Sequence, residues 1–73
     1  MATSSFARSR LRLAQAVKRR RVALGLTQED AAHAIRIATR HYQKLESGEV
    51  NVTLRTLVRV AEAFEIEVRD LLS

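Results

Sequence analysis

The sequence contains no cysteine, so neither a disulfide framework nor a cysteine-ligated zinc site can stabilise its fold. Its two histidines, His33 and His41, are eight positions apart, a spacing that does not suit a shared metal ion. No apolar run approaches the roughly 18 residues of a membrane-spanning helix, and the N-terminus lacks the hydrophobic segment of a secretory signal. These absences predict a cytoplasmic protein that uses no metal, no cofactor and no membrane.

Acidic residues are absent from positions 1–22, which hold seven basic residues and therefore a charge of +7. Positions 23–73 hold six basic and eight acidic residues, a balance of −2. A chain with one basic pole suits a polyanionic partner such as DNA. A solvated basic helix face gives the same pattern, so charge alone leaves both interpretations open.

Proline is also absent, and no segment has the alternating pattern of a strand, so the sequence predicts an all-α fold. Positions 1–8 are small and polar apart from Phe6, which predicts a mobile N-terminal segment before one domain at 9–73. Apolar spacing and cap residues predict five helices, at about 9–24, 28–35, 39–47, 54–64 and 68–72. The apolar face of the fourth helix is expected to comprise Leu54, Leu57, Val58, Ala61 and Phe64.

The most informative motif is Gly25-Leu26-Thr27-Gln28-Glu29, at the junction of the first two helices. Gly25 suits the left-handed residue that ends a helix. Thr27 can cap the second helix, and Asp30 can reach back to it in a variant of the capping box. The second and third helices are then short, joined by a tight turn, and polar on one edge of the third. This layout is that of a helix-turn-helix, whose second helix enters the DNA major groove.

Further motifs follow in order, namely Glu46-x-Gly48-Glu49-x-Asn51, Leu54-x-Thr56-Leu57 and Ala61-x-Ala63-Phe64. From about Leu13 to Leu72, the chain resembles the phage-repressor (Cro/C1-type, XRE-like) family of helix-turn-helix regulators. The resemblance implies a compact five-helix, lambda-repressor-like domain. It also implies a sequence-specific transcriptional regulator, repressor or activator, that binds double-stranded DNA and has no apparent small-molecule effector.

The resemblance assigns base contacts to one edge of the third helix, here called the polar edge, which comprises Thr39, Arg40, Gln43 and Lys44. Arg and Lys can donate to guanine, Gln can pair with adenine, and the Thr methyl can contact thymine. Gln28, at the start of the second helix, is expected to contact phosphate and to brace Thr39. The full set of expected phosphate contacts is Gln28, Arg19, Arg20, Arg36, Asn51, Thr53 and Arg55. The resemblance also implies a structural ion pair between Arg21 and Glu46.

Three positions depart from the family pattern. Arg36 stands in the turn where glycine is usual, and a left-handed conformation there costs on the order of 1 kcal/mol. Ala38 replaces the usual Ser or Thr cap of the third helix, which loses roughly 1 kcal/mol. Ala31 replaces a core leucine, and the large side chain of Tyr42 is expected to fill the space.

The C-terminal positions predict a homodimer. One helix-turn-helix of this size contacts only a few base pairs, so two copies on a palindromic operator would improve discrimination. So small a fold is expected to leave a cluster of large apolar side chains exposed for this contact, namely Phe64, Ile66, Val68, Leu71 and Leu72.

Other classes of function remain open at this point. An antitoxin-type or other protein-interaction module with secondary DNA binding is the main alternative, and a segment outside the five helices would favour it. A membrane-surface helix could use positions 11–21 but would leave the other motifs unexplained. An enzyme is disfavoured because the chain shows no acid pair, nucleophile–base set or phosphate-binding glycine loop.

Overall fold

A computed structural model describes residues 5–72 of the chain. These residues form five helices and no strand, which confirms the predicted all-α class. The helices are α1 (Ser5–Ala23), α2 (Gln28–Ile35), α3 (Thr39–Ser47), α4 (Leu54–Ala63) and α5 (Val68–Leu72). Within the described residues, no helix is both long enough and apolar enough to cross a membrane.

The start of α1 differs from the prediction. We expected a mobile segment over 1–8, whereas α1 begins at Ser5, and residues 1–4 lie outside the described part of the chain. The helix thus reaches further toward the N-terminus than composition indicated. Phe6, although 58% exposed, lines a notch with Val52, Leu57 and Leu72, and the Arg10 guanidinium lies 5.4 Å from the centre of its ring. Small polar residues give no local sign of these neighbours.

The helix ends follow the expected chemistry. Gly25 has φ +73° and Gly48 has φ +77°. The Thr27 hydroxyl accepts a hydrogen bond from the Asp30 amide, and the Asp30 carboxylate accepts one from the Thr27 amide, which completes the capping box. The hydrogen bond from the Thr27 backbone amide is the main cause of the lowered pKa of the Asp30 carboxyl. At the other end of α2, Arg36 occupies the left-handed region with φ +67°, the strained conformation that the sequence predicted.

The cap of α3 is weak and that of α4 is strong. Ala38 provides no side-chain hydrogen bond at the start of α3. The Thr53 hydroxyl accepts a hydrogen bond from the Thr56 amide at 3.1 Å, which caps α4. A second left-handed residue, Glu65 with φ +57°, follows α4 and was not predicted.

A single apolar core joins all five helices, and α1 packs against both α3 and α5. The largest side chains with almost no exposed surface are Val17, Ile35, Tyr42, Val60, Phe64 and Leu71. Ala31 and Tyr42 both lie in this core, as expected. The exposed surface of α4 differs from the prediction, because Leu54 is 72% exposed and Val58 is 39% exposed, whereas Val60 is buried. Leu54 and Val58 thus flank the buried apolar stripe of α4, whereas Val60 belongs to it.

The C-terminal apolar cluster is also less exposed to a second copy of the chain than predicted. Phe64 and Leu71 have no exposed surface, so the expectation that they face a second copy is wrong. Ile66 and Val68 are partly buried against the same core. Leu72 alone of the five stays largely exposed, at 56%. α5 packs against both α1 and α4, and most of the cluster is thereby buried within one chain.

Candidate nucleic-acid interface

The orientation of α3 follows from its two buried residues. Tyr42 is fully buried and Leu45 is 3% exposed, so the opposite side of the helix faces outward. Arg40, Gln43 and Lys44 are exposed, and Thr39 at the first turn is partly buried. The polar edge is therefore a surface of the domain, and its residues lie in the first two turns of α3, where a recognition helix meets bases.

An ion pair behind the polar edge ties α3 to α1. The Nε of Arg21 lies 2.5 Å from the Oε2 of Glu46, and its Nη2 lies 3.2 Å from the Oε1. The Nη1 of Arg21 also donates to the backbone carbonyl of Leu26 at 2.8 Å. The structure thus brings together the two residues whose pairing the family resemblance implied. The two side chains are only 13% and 4% exposed, so water competes weakly for this contact.

Glu46 is the centre of a larger hydrogen-bond network. Tyr42 donates its hydroxyl to the Oε2 of Glu46 at 2.5 Å, and Gln28 donates its Nε2 to the Oε1 at 3.2 Å. Burial alone would raise the pKa of the Glu46 carboxyl, but hydrogen bonds from Arg21, Tyr42 and Gln28 outweigh it and leave that pKa lowered. Burial, followed by the bond to Glu46, raises the pKa of the Tyr42 hydroxyl. The network therefore holds an ionised carboxylate and a neutral phenol.

The network ends on the polar edge. Gln43 donates its Nε2 to the Oε1 of Gln28 at 3.3 Å, and Gln28 in turn donates to Glu46. We expected Gln28 to brace Thr39, but the structure shows it bound to Gln43 instead. The physical reason is the helical register, which places Gln43 one turn after Thr39 and within reach of the start of α2. Sequence alone missed this contact, since two glutamine side chains fifteen positions apart carry no pairing signal.

The expected phosphate-binding residues separate into two groups. Asn51, Thr53 and Arg55 are all exposed and lie together at the N-terminal end of α4. Arg20 lies at the opposite end of that helix, where its Nε donates to the Phe64 carbonyl at 2.9 Å. A ten-residue helix is roughly 15 Å long. Arg20 therefore binds the C-terminal end of α4, away from Asn51, Thr53 and Arg55, and its phosphate contact stays a prediction.

Two other arginines also lie away from the N-terminal end of α4. Arg19 lines a surface depression with Ile66 and Asp70, on the side of α1 that packs against α5. Arg36 lines a cleft between α2 and α4 with Arg59 and Glu62. The structure does not bring either residue to the cluster formed by Asn51, Thr53 and Arg55.

Comparison with known proteins places the chain in a family. A model of the HTH_3 helix-turn-helix family matches residues 17–71, which is most of the chain. The chain belongs to this family of Cro/C1-type DNA-binding transcriptional regulators, whose members act in regulation and not as enzymes.

Particular relatives agree with this class. The chain is 34% identical over 61 residues to the cryptic phage CTXphi transcriptional repressor RstR of Vibrio cholerae serotype O1, covering 84% of this chain and 54% of that protein. It thus spans about half the length of that repressor. The restriction-modification controller protein C.AhdI from Aeromonas hydrophila superposes with a TM-score of 0.81 at 31% identity, covering 85% of this chain and 94% of the other. An HTH_3 family transcriptional regulator from Vibrio cholerae shares the fold, with a TM-score of 0.85 at 21% identity, over 92% of this chain and 38% of the other.

Proposed function

We propose that this protein represses transcription by binding a palindromic operator as a homodimer, with α3 in the major groove of each half-site. Membership of a DNA-binding regulator family sets the general activity. The observation that carries the specific proposal is the exposed polar edge of α3, supported from behind by the Arg21–Glu46 network. The 34% identity to a phage repressor favours repression over activation.

The polar edge offers chemically distinct contacts for different bases. Arg40 and Lys44 can donate to the O6 and N7 of guanine, whereas Gln43 can pair with the N6 and N7 of adenine. One amide hydrogen of Gln43 is occupied by Gln28, which leaves a second hydrogen and the carbonyl oxygen for adenine. Because Gln28 fixes the orientation of this amide, Gln43 would meet a base without first losing side-chain freedom.

A second set of contacts would position the domain on the DNA backbone. Asn51, Thr53 and Arg55 lie at the N-terminal end of α4, which has no acidic residue in its first turn. Backbone amides at such an end favour a phosphate. Arg55 adds a positive charge there. These contacts carry no base information, so they would strengthen binding to all sequences alike.

The homodimer is supported by exposed apolar residues on α4 and α5. Leu54 and Val58 are one turn apart on α4, and Leu72 ends α5, which packs against α4. A symmetric contact through these side chains would allow two recognition helices to meet half-sites about 34 Å apart. This interface replaces the one expected from sequence, since Phe64 and Leu71 are buried inside each chain.

The DNA contacts are tested with a duplex selected from random sequence by the wild-type protein. Replacing Arg40, Gln43 and Lys44 together by Ala should abolish the preference for that duplex over a mixed-sequence duplex. Each good base contact contributes about 1–3 kcal/mol of discrimination. Replacing Arg59 and Arg69 by Ala removes the same charge elsewhere and should leave the preference intact. An unchanged preference in the triple variant would refute the assignment of α3.

The dimer is tested separately by sedimentation at micromolar concentration. Leu54→Glu/Val58→Glu should shift the protein to a monomer, since charge is disfavoured in an apolar interface. Val22→Glu is the control, because Val22 is an exposed apolar residue of α1, 59% exposed and outside the proposed interface. A monomeric wild type, or a double variant that dimerises normally, would rule out this interface.

A further inference from the structure

An apolar notch lies where the first turns of α1, the start of α4 and the end of α5 meet. It is lined by the buried Leu13 and Leu57 and by two exposed side chains, Phe6 and Leu72, which are 58% and 56% exposed. Phe6 belongs to the part of α1 that precedes the match to the family model, which begins at residue 17. The family match therefore gives Phe6 no role, and the proposed DNA contacts do not use it.

The most exposed large apolar side chain of α4 lies beside this notch. Leu54 is 72% exposed and lies one turn before Leu57, which lines the notch. Leu54 is also one turn from Val58, so these three side chains share one side of α4. Four of the seven large apolar side chains that are exposed in the described part of the chain thus gather on one surface, here called the apolar face, namely Phe6, Leu54, Val58 and Leu72.

A charged neighbour holds the Phe6 ring at the notch. The guanidinium carbon of Arg10 lies 5.4 Å from the centre of the ring, which is a cation–π contact. Arg10 lies one turn after Phe6 and lines the same notch. Because the ring has a defined position before any partner binds, less side-chain freedom would be lost on association.

The apolar face has the features of a contact between two identical chains. Contiguous apolar patches mark sites of association, and aromatic side chains are enriched in the buried centre of such sites. A two-fold symmetric interface uses the same patch on both chains, so every contact occurs twice. This face is suited to pair with itself, because it carries both a projecting side chain, Leu54, and a notch one turn away. Polar Ser9 and Asn51 border the notch, as expected for the rim of an interface.

We propose that Leu54 of each chain enters the notch of a second copy and packs against Phe6 there, with the two-fold axis passing between Leu54 and the notch. This inference rests on the proposed homodimer. It adds the first turns of α1 to the interface and assigns a particular contact across the axis, around which Val58 and Leu72 pack.

The first test compares two alanine variants on α1 in the absence of DNA. Phe6→Ala should raise the dimer Kd in sedimentation equilibrium at least about tenfold, because it removes an aromatic side chain from both copies of the contact. Val22→Ala is the matched control, since Val22 is 59% exposed on the same helix and lies outside the apolar face. Its dimer Kd should equal that of the wild type. Circular dichroism should show both variants folded, because both side chains are exposed.

The second test identifies which residues pair across the interface. In the homodimers of Phe6→Ala and of Leu54→Ala, both copies of the contact are damaged. In a mixed dimer of the two variants, both substitutions fall in one copy of the contact, and the other copy keeps its native pair. Native mass spectrometry of the mixture should therefore show the heterodimer in excess of its statistical share. If Phe6 instead met Phe6 across the axis, the heterodimer would be disfavoured.

The outcomes separate this inference from the proposed homodimer. A raised Kd in Phe6→Ala but not in Val22→Ala, together with an excess of the heterodimer, would support the inference. It would be overturned by a Phe6→Ala variant that dimerises like the wild type, by equal weakening in Val22→Ala, or by a heterodimer in no excess. The homodimer through α4 would still stand if Leu54→Glu/Val58→Glu is monomeric. A wild type that is monomeric at micromolar concentration would overturn both.

Discussion

Removing Glu46 should destabilise the domain strongly, because one carboxylate satisfies three different side chains. In Glu46→Ala, the Arg21 guanidinium, the Tyr42 hydroxyl and the Gln28 amide all lose a partner. Surface ion pairs contribute about 0–1 kcal/mol, whereas breaking a buried pair costs about 3–5 kcal/mol. The Arg21 side chain is 13% exposed and that of Glu46 4%. We therefore expect the free energy of unfolding to fall by about 3 kcal/mol, near the lower end of the range for buried ion pairs.

That loss is large for so small a protein. A domain of this length has a free energy of unfolding of roughly 4–11 kcal/mol. A decrease of about 3 kcal/mol should lower the Tm by roughly 12–24 °C, which thermal denaturation followed by circular dichroism detects easily. Glu62→Ala is the control, because Glu62 is exposed, and its substitution should change stability by less than about 0.5 kcal/mol.

A double-mutant cycle isolates the pair itself. Arg21→Ala should also be destabilising, partly through the lost bond to the Leu26 carbonyl. The double variant Arg21→Ala/Glu46→Ala should lose at least about 1 kcal/mol less than the sum of the two single losses. Additive losses, or a Glu46→Ala variant as stable as the control, would refute the assignment of this network as a main support of α3.

Three further predictions follow from the same geometry. Gln28→Ala should relax the preference at the base pair contacted by Gln43, in addition to any general loss of affinity, and binding-site selection with the variant measures this directly. Arg36→Gly and Ala38→Ser should each raise the free energy of unfolding by about 1 kcal/mol, because one relieves a left-handed residue and the other supplies a missing cap; an unchanged denaturant midpoint would contradict them. Because the folded-state pKa of Glu46 is lowered, its contribution should be complete above its ordinary pKa of about 4.5 and be lost as the pH falls through the lower folded value. Denaturation at a series of acidic pH values should therefore show a steeper decline for the wild type than for Glu46→Gln.

Local sequence chemistry was sufficient to predict the helix-turn-helix itself. The bounds of α2 and α3 agree with the prediction, and the strongest signals are Thr27 at the start of α2 and Gly48 at the end of α3. The contact between Arg21 and Glu46 was expected only through the family resemblance, since residues twenty-five positions apart carry no local pairing signal.

The errors arose where tertiary contacts outweigh local pattern. α1 begins at Ser5, inside the segment that composition marked as mobile, and Phe6 lines a notch with Val52 and Leu72, which lie elsewhere in the chain. Leu71 is buried because α5 folds back across α1, a consequence of topology that periodicity in a five-residue helix does not reveal. The hydrogen bond from Arg20 to the Phe64 carbonyl at the end of α4 joins residues forty-four positions apart, which no local pattern indicates.

The central claim is that α3 selects bases while the N-terminal end of α4 contacts only phosphate. The most direct measurement is a profile of binding preference at every base pair of the operator, recorded for the wild type, Lys44→Ala and Arg55→Ala. Lys44→Ala should lose the preference at one base pair of each half-site and keep the others, because each side chain meets a particular base edge. Arg55→Ala should weaken binding to all sequences and keep the whole profile. A profile that changes in Arg55→Ala, or one that is unaltered in Lys44→Ala, would contradict the claim.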